Sequence, residues 1–204
     1  MGKELVLLKS SWSYRPRLMI QNLDKMLNWF KDYMINRRCA EVRNRPGLHP
    51  RNTINYHEVN QIGILFHLKP DVNPEPLARF IKKLEYDHKK LKILTYFDHV
   101  HSHPYTFYID YFLKEDINWF GKIQSPKVEQ FIDTQFDFLF CIESEPQPVF
   151  EMILNETKAN CRVGLFQEDR TNLFDMMVEN PDPENLEHTL EQMLKYTKLL
   201  IYND

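Results

Sequence analysis

Hydrophobic positions change period several times along this chain, most clearly between Phe131 and Phe166. There the apolar residues Phe136, Phe138, Leu139, Phe140, Cys141 and Ile142 sit almost side by side. A turn carrying Pro146 and Pro148 follows, then Val149, Phe150, Ile153 and Leu154 at helical spacing, then a second short run from Cys161 to Phe166. Strands buried on both faces read as continuous hydrophobics, and a helix between two of them makes a βαβ unit. The same alternation occurs upstream. Ile62 to Leu68 predicts a buried strand, Leu77, Phe80, Ile81 and Leu84 a helix begun by Pro76, and Leu91 to Phe97 a second strand. Thr106 to Phe112 reads as a third, edge strand, and residues 114–121 as a turn or short helix. Ser125-Pro126 has the N-cap and first-turn residues of a helix continuing through Val128, Phe131 and Ile132. Residues 172–178 predict a short last strand or helical turn. From Asp182-Pro183 a terminal helix follows, with Leu186, Leu190, Met193, Leu194 and Thr197 on one face.

This order implies an α/β, Rossmann-like fold: a mainly parallel open sheet with helices on both faces. Ahead of it, Leu18 to Val42 keeps helical spacing, with Leu23, Met26, Leu27, Phe30 and Met34 in one stripe that Trp29 and Tyr33 widen. Lys25, Lys31, Arg37 and Arg38 lie beside the stripe, the last two where the helix macrodipole favours cations. Pro46, Gly47 and Pro50 end the pattern, so residues 44–60 read as a loop. The expected organisation is an N-terminal helical arm and linker over 1–58 and one α/β domain over 59–204.

Charge sharpens that division. Of the 204 residues, the first 55 hold 11 Lys and Arg against 4 Asp and Glu, a balance of +7. The remainder holds 15 against 25, or −10, giving −3 overall. A basic arm rich in apolar residues is expected to fold onto its acidic body or onto a protein partner, including a second copy. Peripheral contact with an anionic membrane is the alternative. Nucleic acid is disfavoured: Arg43, Arg45, Arg51 and Tyr56 match no reading motif, and the acidic body repels phosphate. The apolar stretch Leu5 to Leu8 is shorter than a signal peptide requires, and no run approaches a membrane span, so the expected location is the cytoplasm. Cys39, Cys141 and Cys161 form no CxxC pair and read as reduced, structural residues.

Common catalytic motifs do not occur. With 5 Gly in the chain there is no GxGxxG, no GxxxxGK[ST] and no GxSxG. No cofactor is expected on these grounds. The one constellation suited to a divalent metal is His99, His101 and His103, which in an extended segment would share a face just past the second strand. Ligands of open α/β sheets bind beyond the strands' carboxyl ends. Asp71, Asp98 and Glu143, each predicted at such an end, are therefore the candidate ligand-binding carboxylates.

Two resemblances attach to particular segments. Ile62–Phe66 (IGILF), Asp116–Lys122 (DINWFGK), Phe136–Glu143 (FDFLFCIE) and Ala159–Phe166 (ANCRVGLF) resemble an uncharacterised domain family of Bacteroidota, over Gln61 to about Lys195. The NWFG element is the most particular of these. Phe136 to Phe166 alone is similar to a strand–helix–strand unit of heptosyltransferase-type glycosyltransferases. That likeness implies the fold more than the reaction, because those enzymes hold the nucleotide-sugar mainly with a second domain that this chain has no room for. The expected function is thus a non-catalytic or accessory protein that binds a partner or ligand. The alternative is a glycosyltransferase-like or metal-assisted enzyme working at the sheet's carboxyl edge.

Overall fold

Short apolar runs and helically spaced apolar residues set the strands and helices of this chain. The computed structural model describes residues 15–43, 55–97, 109–143, 145–179, 182 and 185–200. In chain order these form α1 (Arg15–Arg43), β1 (Gln61–His67), α2 (Glu75–Tyr86), β2 (Lys90–Phe97), β3 (Asp110–Leu113), α3 (Pro126–Asp133), β4 (Phe136–Glu143), α4 (Pro148–Glu156), β5 (Ala159–Leu165), β6 (Met176–Val178) and α5 (Leu186–Leu199).

The strands make one sheet in the order β3-β2-β1-β4-β5-β6, with every pairing parallel. This is the Rossmann-like architecture the alternation predicted. The two central strands, β1 and β4, are its most hydrophobic, because both of their faces are covered. Ile62, Ile64 and Phe66 of β1 and Phe138, Phe140 and Ile142 of β4 pack with Leu77, Phe80 and Ile81 of α2 and with Leu190, Met193 and Leu194 of α5. Leu65, Leu139 and Cys141 face the other way, onto Val128 and Phe131 of α3 and Phe150, Ile153 and Leu154 of α4. The period-2 alternation of a strand thus divides one apolar run between two cores. Phe80 and Phe140 meet edge to face with centroids 5.4 Å apart, an arrangement aromatic rings favour.

Local chemistry sets the element ends. Pro occupies the first turn of α2, α3 and α4, where its missing N–H costs nothing. Ser125 precedes α3 as expected, but its side chain makes no capping hydrogen bond. The last helix starts later than Asp182-Pro183 suggests. It begins at Leu186, and Asn185 caps it by accepting the His188 N–H at 3.0 Å. At the other end of α5, Lys198 Nζ lies 2.6 Å from Asp87 Oδ2, and Tyr56 Oη donates to the same oxygen at 2.8 Å. This ties α5 and residue 56 to the end of α2. The third strand starts at Asp110, and the Thr106 end of the stretch predicted for it lies outside the described residues, as do residues 44–54 of the predicted loop.

The first helix departs from expectation in the face it buries. Its Leu23, Met26 and Phe30 stripe is exposed, at 51%, 57% and 45%. The face that docks on α4 carries Ile35 and Cys39, both buried, and the Cys39 thiol donates to Pro148 O at 2.8 Å. Lys31 Nζ donates to Lys114 O at 2.6 Å, and Asp32 pairs with Lys114 at 2.8 Å. At ~100° per residue, Met26 and Tyr33 lie about 160–180° around the helix from Ile35. The helix is therefore apolar on two opposite sides, and only one of them touches the body.

Candidate functional site

Two places on this fold could carry function: the carboxyl edge of the sheet, where the chain order reverses, and the outward face of α1.

The reversal falls between β1 and β4, since β2 and β3 extend the sheet to one side of β1 while β4, β5 and β6 extend it to the other. In open α/β sheets this is where a crevice forms. The parallel register sets His67, the last residue of β1, against Glu143, the last of β4. Gln147, just before α4, bridges them. Its Nε2 lies 3.1 Å from His67 Nδ1, and its backbone N–H donates to Glu143 Oε2. Beneath them lies Arg170, carried in by the short helical turn after β5 and only 1% exposed. Arg170 Nη1 donates to Glu143 Oε1 at 3.2 Å and to Gln167 Oε1 at 3.2 Å, while Nε lies 3.4 Å from Glu151 Oε1. Glu151 is itself 3% exposed, on the first turn of α4. Cys141 Sγ–H donates to Glu143 Oε1 at 3.0 Å.

These side chains are spent largely on one another. Burial holds the Glu143 carboxyl above the usual glutamate range, with Arg170 opposing that shift in part. Burial also pushes the Cys141 thiol well up, and the neighbouring Glu143 carboxylate adds to the effect. A thiol so placed is not a ready nucleophile. The arrangement is a buried guanidinium–carboxylate cluster bracing the ends of β4, α4 and the loop after β5. Arg170 Nε and Nη2 are both buried without a hydrogen-bond partner among the described residues, Nε having only the longer ionic contact with Glu151.

Of the candidate residues named from sequence, Glu143 is in this cluster. Asp71 is exposed in the turn after β1 and is not brought to it. Asp98, His99, His101 and His103 lie outside the described residues. Among the described residues, no group of three or more His, Cys, Asp or Glu side chains is placed to hold a metal ion. Sequence reasoning missed Arg170, Glu151, Gln147 and His67. Nothing in the local pattern distinguishes Arg170 of Glu-Asp-Arg from a solvated loop cation.

The second place is built by α1 and the turn that seats it. Asn118 organises this turn: its Oδ1 accepts the backbone N–H of Phe120 and of Lys122, each at 3.0 Å, and its carbonyl accepts Gly121 N–H at 3.0 Å. Gly121 takes φ +72°, and a Cβ there would lie 3.0 Å from Met34 O. Glycine thus answers two needs, a left-handed backbone and close approach to the helix. The flanking Trp119 and Phe120 do not enter the core. They are 48% and 73% exposed. On the helix, Trp29 and Tyr33 stack with centroids 5.9 Å apart and are 66% and 51% exposed. Leu23, Met26, Trp29, Phe30 and Tyr33 make an exposed apolar row on the outward face of α1, and Trp119 and Phe120 are exposed on the turn that meets the helix at Met34 and Ile35. Among the described residues no helix is long and apolar enough to cross a membrane.

No curated protein and no solved structure matches the chain. The model of DUF6913, described as a family of unknown function, matches residues 31–200, a span that takes in the docked half of α1, the Asn118–Gly121 turn and all six strands. The chain belongs to that family.

Proposed function

We propose that this is a non-catalytic, cytoplasmic partner-binding protein whose working surface is the outward face of α1 with the adjoining Trp119-Phe120 turn. The observation that carries the reading is the exposed row Leu23, Met26, Phe30 and Tyr33 on a helix already anchored from its opposite side. Large apolar and aromatic side chains held in a fixed row are what buried interface centres are made of. The rigid α/β body then acts as the mount. Against the rival reading, an enzyme at the carboxyl edge of the sheet, weighs the use of Glu143 there: its carboxylate is taken up by Arg170, Cys141 and the Gln147 backbone.

The test is cross-linked co-purification of the tagged full chain beside a Leu23→Ser, Phe30→Ser, Trp119→Ser variant. All three positions are exposed, so far-ultraviolet circular dichroism of the variant should match the wild type. The expected result is that chains recovered with the wild type, whether its own copies or others, fall at least tenfold in the variant. Equal recovery by both would overturn the reading.

A further inference from the structure

The exposed face of α1 has a repeat of its own. Leu23 and Phe30 are seven residues apart, as are Met26 and Tyr33, and the two pairs interleave as the a and d positions of a heptad. In the sequence Met19 falls at the preceding d position. An a/d row is the seam by which one helix packs on another, and here Leu27, Met34 and Trp29 widen it. The positions beside it are uncharged: Leu27 and Met34 on one flank, Trp29 and Asn36 on the other. A copy of the same helix therefore meets no repulsion along the seam until Arg37, at the next a position.

Arg37 sets the direction. In a parallel pair it would oppose the same arginine of the second copy, which is destabilising. In an antiparallel pair each a residue meets a d residue. Leu23 then opposes Tyr33, Met26 opposes Phe30, and Arg37 is carried toward the Met19 end.

The surface is large enough. The helix is 29 residues, about 43 Å, long. Five side chains there are close to half exposed or more. At the areas such side chains carry they offer roughly 500 Å² per copy, or roughly 1,000 Å² in a pair, about the least a specific interface needs. A membrane-lying helix would keep its far side in water with cations on it. Here the far side carries Ile35 and Cys39 and is docked on the body.

We infer that the occupant of this face is a second copy of the chain, paired antiparallel through the a/d seam about a twofold axis between Met26 and Phe30. The inference rests on the partner-binding reading and names its partner. A twofold, self-complementary contact closes on itself and leaves no seam open for further growth.

Sedimentation velocity of the full-length chain tests it, using Met26→Lys and Phe30→Glu, two exposed positions that leave the body intact. The wild type should reach twice the chain's mass as concentration rises. Each variant alone should stay monomeric with an unchanged far-ultraviolet spectrum. An equimolar mixture of the two should dimerise again, because only antiparallel pairing sets the new ammonium at 26 against the new carboxylate at 30. A dimer indifferent to both substitutions, or a mixture that stays monomeric, would overturn the pairing. So would a folded wild type that is monomeric throughout. A monomer that still loses other co-purifying chains on Leu23→Ser, Phe30→Ser, Trp119→Ser would overturn self-pairing yet leave the partner-binding reading standing. A monomer that pellets with anionic liposomes would overturn it in favour of a membrane surface.

Discussion

Replacing Arg170 with methionine is expected to destabilise the protein by about 3–5 kcal/mol, the cost of stranding buried charge after one partner of an ion pair is removed. Methionine keeps most of the volume, so the loss reports the charge rather than a cavity. Two carboxylates, Glu143 and Glu151, face this one guanidinium, at 3.2 and 3.4 Å, and both are nearly inaccessible to water. The deficit should depend on pH in a direction the geometry fixes. Burial already raises the Glu143 carboxyl above the ordinary value of 4.5, and Arg170 restrains that rise. Without Arg170 the carboxyl is raised further. A carboxyl raised in the folded state contributes stability that is complete below its unfolded pKa and lost as pH rises through the folded one. The variant should therefore lie closest to the wild type near pH 4.5 and fall away toward neutral pH. Urea denaturation at both ends of that range reads the difference. The triple variant Glu143→Gln, Glu151→Gln, Arg170→Met should regain most of the loss. An Arg170→Met protein as stable as the wild type at neutral pH would remove the cluster from any structural role.

The second large effect is expected at Gly121. Valine there must hold a left-handed backbone, which costs about 1–2 kcal/mol for a residue with a Cβ. It must also push side-chain atoms against the backbone of α1, whose Met34 O would already be 3.0 Å from the Cβ. Overpacking of this kind costs about 1–3 kcal/mol more. Relief comes most easily by lifting α1 off α4, since the three atoms nearest that Cβ all belong to the α1 backbone. Gly121→Val should thus release the Ile35–Cys39 contact while the six strands stay folded. Limited trypsin digestion should then cut early at Lys31, Arg37 or Arg38, leaving a resistant fragment that spans the sheet. Unchanged protection of those sites would show that the turn does not hold the helix.

Much of this architecture was written in the hydrophobic pattern. Phe136–Ile142 and Cys161–Phe166 could be recognised as strands because most of each run is buried on both faces, although the second strand runs Ala159–Leu165 and leaves Phe166 exposed. The extent of α1 was equally legible, since no Gly or Pro falls between Arg17 and Arg45. Which side of α1 docks was not. The stripe Leu23, Met26, Phe30 has the stronger helical spacing, yet the contact with the body is made by Ile35 and Cys39 with polar help from Lys31. A helix with two apolar sides gives a pattern in which either can be the inner one, and only tertiary packing decides. Glu143 was found because it ends a strand. Its partner Arg170 was not, because a cation in a short polar loop is almost always solvated, and its burial depends on a connection that folds back under α4. The exposure of Trp119 and Phe120 was not legible for a related reason: aromatic side chains are usually buried, and here the backbone turn that Asn118 and Gly121 impose holds them outside the core.

The most direct test of the outward face of α1 as the working surface is in-cell photo-crosslinking with a photoreactive residue placed in turn at Met26, Trp29 and Phe120, and at Lys82 and Tyr86 on α2 as controls. All five sites are exposed, so access alone does not separate them. The expected result is discrete adducts from Met26, Trp29 and Phe120 and none from the two α2 sites. Adducts from α2 alone, or an absence of adducts from α1 and its turn, would contradict the account.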